Sequence, residues 1–229
     1  MLFRSVAAAR AKVRRGERRY DTATFAQLDA DSERIARGLE AWGVPPGARL
    51  ALLVKPGVEF VTLVFALLKA GVVQVLIDPG MGRKNLIRCL EETRPEGFVA
   101  IPPVQVIRTL LRHRFPQAEW NVTVGGRRWF WNGKTLDDVR ELGRRAEHDF
   151  AAPIQTFVDD PAAIIFTTGS TGPPKGVLYQ HGNFDRQVVE IRDRFAIEPG
   201  EVNLACFPLF GLFNAAMGVT TVFPQMDFS

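Results

Sequence analysis

Three apolar stretches constrain this chain most: Arg49–Val54 (RLALLV), Val72–Ile77 (VVQVLI) and Pro161–Thr167 (PAAIIFT). None of them alternates apolar with polar residues. A strand of that composition must be covered on both faces, which is the condition of a parallel sheet flanked by helices. Between the first two lies Gly57–Ala70, apolar almost throughout and closed by Gly71. Ahead of them, residues 24–42 place Phe25, Leu28, Ile35, Leu39 and Trp42 near one helical face, and Gly43 follows as a stop. Arg83–Glu92 is a second amphipathic helix, Phe98–Ile101 a strand, Val104–His113 a helix and Asn121–Val124 a further strand. Strands that alternate with helices of this length specify an α/β fold with a mainly parallel sheet flanked by helices.

The totals exclude several classes. With 46% hydrophobic and 24% charged residues among 229, the chain has material for a sizeable core and lacks the signature of disorder. The net charge is +4, but Arg4, Arg10, Lys12, Arg14, Arg15, Arg18 and Arg19 stand against Glu17 in residues 1–19. That end carries +6, which leaves −2 for the rest. The body is therefore nearly neutral, and no nucleic-acid partner is expected. Residues 1–19 read as a basic, disordered N-terminus. Cys89 and Cys206 are far apart and lack metal-ligand spacing, so both read as reduced thiols of a cytoplasmic protein. The longest apolar run, Phe60–Leu68, ends at Lys69 and is too short for a transmembrane segment.

Residues 125–160 differ from the rest, with Gly125-Gly126, two tryptophans, many charges and Pro153. They read as an excursion that returns to the sheet. Beyond Pro161–Thr167, Gly176–Tyr179 is a short extended piece. Asn183–Phe195 is helical with Asn183 as N-cap. Asn203–Phe207 is a strand, Leu212–Gly218 a helix and Val219–Phe223 a strand. A doubly wound sheet is expected to continue after VTTVFPQMDFS, so the chain reads as part of a longer fold.

The candidate site is the loop after the third apolar strand, Thr167–Lys175 (TTGSTGPPK). A loop at the carboxyl end of a parallel strand sits where open α/β sheets bind ligands. Glycines let successive N–H groups approach an anion, hydroxyls add donors and Lys175 adds a mobile positive charge. A Walker A loop is absent, because two prolines separate Gly172 from Lys175 and Gly176 follows it. On composition alone, a phosphate cradle and a polar connector both remain open.

The ordered run T-T-G-S-T-G-P-P-K-G resembles the phosphate loop of the adenylate-forming superfamily. That superfamily includes acyl-CoA synthetases, luciferases and the adenylation domains of peptide synthetases. Ala70–Pro79 (AGVVQVLIDP) and the pair His181 and Asn183 resemble its flanking segments. LIDPGMGRKNLIRCLEETRPEGFVAIP and FPLFGLFNAAMGVTTVFPQMD are most similar to the β-lactone synthetases of bacterial olefin biosynthesis and to related fatty-acyl ligases. Many acyl-CoA synthetases carry a histidine after Pro-x-Phe; here Pro208-Leu209-Phe210 is followed by Gly211.

The resemblance implies that residues 20–229 form an incomplete N-terminal AMP-binding domain, without the C-terminal lid domain. It implies ATP and Mg²⁺ as cofactors and a fatty or β-hydroxy fatty acid as substrate. A carboxylate oxygen attacks the α-phosphate of ATP, pyrophosphate leaves, and the acyl-adenylate closes to a β-lactone with release of AMP. The alternatives are a fatty-acyl-CoA ligase, with CoA as second substrate, or a non-catalytic acyl- or nucleotide-binding module. The carried-over ATP- and pyrophosphate-binding residues are Thr167, Thr168, Gly169, Ser170, Thr171, Gly172 and Lys175. Phe207, Phe210 and Phe213 are candidates for an acyl pocket or for plain core packing. No metal ligand is assigned to this chain. The Y-G-x-T-E motif, whose glutamate holds Mg²⁺ and whose tyrosine stacks on adenine, does not occur, and the catalytic residues are expected beyond Ser229. The 229 residues by themselves are expected to be inactive.

Overall fold

The computed structural model describes residues 5–10, 19–127, 129–146, 154–167, 173–206 and 208–224. Strand β1 (Ser5–Arg10) leads to β2 (Arg19–Thr24), which runs directly into α1 (Phe25–Ala41). Thr24 and Gln27 cap α1 reciprocally: the Gln27 N–H donates to Thr24 Oγ1, and the Thr24 N–H to Gln27 Oε1. Then follow β3 (Arg49–Leu53), α2 (Val58–Lys69), β4 (Val73–Leu76), a 3-10 turn at Pro79–Met81, and α3 (Arg83–Thr93). The next elements are β5 (Gly97–Ala100), α4 (Pro102–Leu110), a 3-10 turn at Arg112–Arg114, and β6 (Trp120–Thr123). Beyond them lie β7 (Lys134–Thr135), α5 (Leu136–Arg145), β8 (Pro161–Thr167), β9 (Lys175–Gln180) and α6 (His181–Phe195). The last are β10 (Val202–Leu204), α7 (Pro208–Ala216) and β11 (Thr220–Phe223).

Seven strands form one sheet in the order β7-β6-β5-β3-β4-β8-β9. Every pairing in it is parallel except the last, β8 with β9. The non-alternating strands are buried on both sides, as their composition requires. Leu50 and Leu52 of β3 join Ile35 and Leu39 of α1 and Val61, Val64 and Leu67 of α2 in one core. Ala51 and Leu53, on the opposite face, join Cys89 and Leu90 of α3, Phe98 and Phe115 in the other.

A second sheet, β10-β11-β1-β2, was not legible in the sequence. Ser5–Arg10 falls in the segment expected to be a disordered end, yet it sits between β2 and β11. Its backbone groups are taken by chain more than two hundred residues away in one case, a partner that local charge cannot reveal. The excursion at 125–160 also holds regular structure. Thr135 and Asp138 cap α5 reciprocally, and α5 lies against α1. The crossing is made at Gly38 and Gly143, where a Cβ on either would overlap the opposite backbone, at Val139 O and Arg34 O respectively. Arg140 of α5 then donates to both carboxylate oxygens of Asp31 on α1, at 2.8–3.2 Å.

Among the described residues no helix is long and apolar enough to cross a membrane.

Candidate active site

The glycine- and hydroxyl-rich loop is a hairpin connection. Thr167, the last residue of β8, is the direct cross-strand partner of Lys175, the first of β9. Both side chains are exposed at the carboxyl end of the parallel strands. The backbone positions that carry a hydroxyl and an ammonium are thus set beside one another by strand pairing rather than by the loop itself. Thr168, Gly169, Ser170, Thr171 and Gly172 lie outside the described residues, as does Phe207. Pro174 is buried, which anchors the loop's exit.

Below Thr167 opens a cavity of about 570 Å³. Ile165, Phe166, Tyr179, Phe184, Leu209 and Phe213 supply half of its lining residues. Tyr179, Phe184 and Phe213 make a continuous aromatic row, with ring centroids 5.3 and 6.2 Å apart. Of the three phenylalanines expected to line an acyl pocket, Phe213 is there, and Phe210 belongs to α7 although its side chain lies outside the described set. The sequence reading missed Tyr179 and Phe184. The signal available was their spacing across the β9–α6 junction, but only the antiparallel turn-back of β9 places them on the cavity. Asp78 and Glu190 are the carboxylates on its rim. Among the described residues, no group of three His, Cys, Asp or Glu side chains is placed to hold a metal ion.

The β9–α6 junction corrects the capping assignment. Gln180, not Asn183, is the N-cap of α6; Asn183 is the third helical residue, and its Oδ1 accepts the Gln180 N–H at 2.8 Å. The helix starts earlier because β9 feeds straight into it. His181 becomes its first residue, with its N–H donated to Asp160 O at 3.1 Å and its Nε2 buried without a partner. Burial holds the imidazole below its usual range, opposed in part by the carboxylates of Asp160 and Asp185. The fold therefore prefers neutral His181, and the unfolded chain binds the extra proton first as pH falls. Stability carried by this residue is complete above pH 6.5, the ordinary value, and declines below it until the folded group also protonates. In urea titrations, the wild type should lose more stability between pH 7.5 and 5.5 than His181→Gln. Equal losses would show that His181 does not titrate with folding.

Gly211 follows Pro208-Leu209-Phe210 and packs on the ring of Phe223, which a Cβ would overlap. A side chain at this point would require the Phe223 ring to shift. The departure from the acyl-CoA synthetase pattern is thus built into the packing.

Residues 4–224 match the model of the AMP-binding enzyme family. The chain belongs to that family. An olefin β-lactone synthetase of Xanthomonas campestris pv. campestris is 47% identical over 209 residues, covering 91% of this chain and 37% of that protein. The olefin β-lactone synthetase of Stenotrophomonas maltophilia is 46% identical with the same coverage. The long-chain-fatty-acid–CoA ligase FadD13 of Mycobacterium tuberculosis is 30% identical, over 89% of this chain and 40% of its own length. This AMP-binding chain therefore spans well under half the length of the curated relatives it matches. Among solved structures, the inhibitor-bound N-terminal domain of FACL13 from M. tuberculosis superposes with a TM-score of 0.72 at 25% identity, covering 90% of this chain and 52% of that one. The anthranilate CoA ligase AuaEII in complex with anthranoyl-AMP gives 0.75 at 20% identity, covering 90% and 41%, which establishes the shared fold.

Proposed function

We propose that this chain supplies the phosphate grip and part of the acyl pocket of an ATP-dependent enzyme that activates a fatty or β-hydroxy fatty acid as its adenylate. The observation that carries the reading is one of placement. Thr167 belongs both to the base of the phosphate loop and to the wall of the aromatic cavity. An acid whose chain enters that cavity presents its carboxylate where the loop would hold the α-phosphate. The cavity volume lies within the range of small-molecule sites, about 300–1,000 Å³.

In this reading the carboxylate oxygen attacks the α-phosphorus and the bond to pyrophosphate breaks. Lys175 follows the charge that builds on the leaving oxygen, and the Thr167 hydroxyl donates to a phosphate oxygen. By the resemblance of the loop's sequence, Thr168, Ser170 and Thr171 are assigned as hydroxyl donors and Gly169 and Gly172 as backbone N–H donors. Mg²⁺ bound with the triphosphate would add charge neutralisation there, and no described residue of this chain is assigned to hold it. The paired side chains at the hairpin end suit a triphosphate: both are exposed, one is a donor and the other a cation. Leu209 and Phe213 exclude water from the acyl end.

The preferred second step is β-lactone closure, in which the substrate's β-hydroxyl oxygen attacks the acyl carbon, loses its proton and displaces AMP. The 47% likeness to an olefin β-lactone synthetase and the packing of Gly211 support it. The purified gene product, given ATP, Mg²⁺ and a 2-alkyl-3-hydroxy acid, should release AMP and a β-lactone without CoA. Acyl-CoA as the only product, formed solely when CoA is present, would replace lactone closure with the ligase reaction.

A further inference from the structure

A groove of about 650 Å³ runs along α3 and shares no lining residue with the aromatic cavity. Lys84, Asn85, Ile87, Arg88 and Glu91 of α3 line it, with Arg114 from the 3-10 turn and Pro173 from the phosphate loop. It holds three cations against one carboxylate, and Arg114 already meets that carboxylate, Glu91, at 3.0 Å. Among the described residues, Lys84 and Arg88 have no carboxylate within ion-pair distance, although Glu91 and Glu92 follow Arg88 by three and four positions.

The placement is unfavourable for the helix taken alone. Arg83 and Lys84 stand in the first turn of α3, where the helix dipole disfavours cations, and that turn contains no acid and no side-chain cap. Lys84 and Arg88 are also like charges four residues apart on one face. A multiply charged anion in the groove would relieve both. Pro173 puts that position beside the phosphate loop.

We propose that the α3 groove is a second phosphate site, in which Lys84 and Arg88 bind a multiply charged phosphate anion next to the loop. The site takes pyrophosphate as it leaves the loop or the phosphate end of a nucleotide; the two share one chemistry. The inference rests on the phosphate-loop reading for its neighbour, but not for its own residues.

The test is calorimetric titration of the 229-residue chain with inorganic pyrophosphate, and separately with adenosine 3′,5′-bisphosphate, at low ionic strength. Lys84→Gln/Arg88→Gln should weaken one of these about tenfold and flatten its salt dependence, with the thermal midpoint not lowered, because both side chains are exposed and their charges are unfavourable to the helix. Loss on the pyrophosphate arm identifies the leaving group, and loss on the bisphosphate arm a nucleotide phosphate. Lys175→Ala is run in parallel. If it fails to bind while Lys84→Gln/Arg88→Gln binds both anions like the wild type, the groove is overturned and the loop reading stands. If the reverse holds, the groove stands and the loop reading falls. Wild-type affinity for neither anion overturns the groove.

Discussion

Replacing Gly143 with leucine should unfold the α1–α5 contact and destabilise the chain by about 3 kcal/mol or more, the upper range for overpacking. The reason is geometric. At the crossing of α5 with α1, a Cβ on Gly143 overlaps Arg34 O and also stands 3.0 Å from the Gly38 N. Neither backbone can yield without moving a helix, because α1 is held on its other side by the buried Ile35 and Leu39. Gly38→Leu should behave alike, since its Cβ overlaps Val139 O. Arg145→Ala is the control. Its guanidinium is largely exposed and, among the described residues, pairs with Glu141 on its own helix, so the shift should stay within about 0.5 kcal/mol. Denaturant midpoints measure all three. A Gly143→Leu midpoint equal to the wild type would mean that α5 does not dock on α1 in this way.

Lys175→Ala should weaken ATP binding by about 10- to 100-fold, the loss of one charge-assisted hydrogen bond to a phosphate. Stability should barely move, because the side chain is exposed and its backbone pairing with Thr167 survives the substitution. Equilibrium dialysis with labelled ATP reads the affinity, and a thermal melt checks the fold. ATP affinity unchanged in a folded Lys175→Ala chain would remove this lysine from the phosphate grip.

Much of the central fold was legible because its causes are local. Non-alternating apolar runs gave β3, β4 and β8, and 3.6-residue periodicity with Gly43 and Gly71 gave the extents of α1 and α2. The parts that were missed depend on distant partners. Strand β1 exists because β2 and β11 flank it. Helix α5 had a local signal in Thr135-x-x-Asp138, but its role comes from a glycine crossing with residues a hundred positions earlier. The capping error at Asn183 arose because asparagine is a favoured N-cap type, whereas the direct entry of β9 starts the helix three residues earlier and leaves the role to Gln180.

The sequence by itself determined the family, because an ordered run of glycines, hydroxyls and a lysine is chemistry written in consecutive residues. It also determined that the sheet is buried on both faces. The tertiary structure alone decided that Thr167 and Lys175 stand side by side, that Phe213 joins Tyr179 and Phe184 on one cavity, and that Lys84 and Arg88 face the loop's exit. Those relations are set by strand order and by the reversal of β9. Strand order follows from which buried faces pack together across the whole chain, and no local stretch of sequence contains that information.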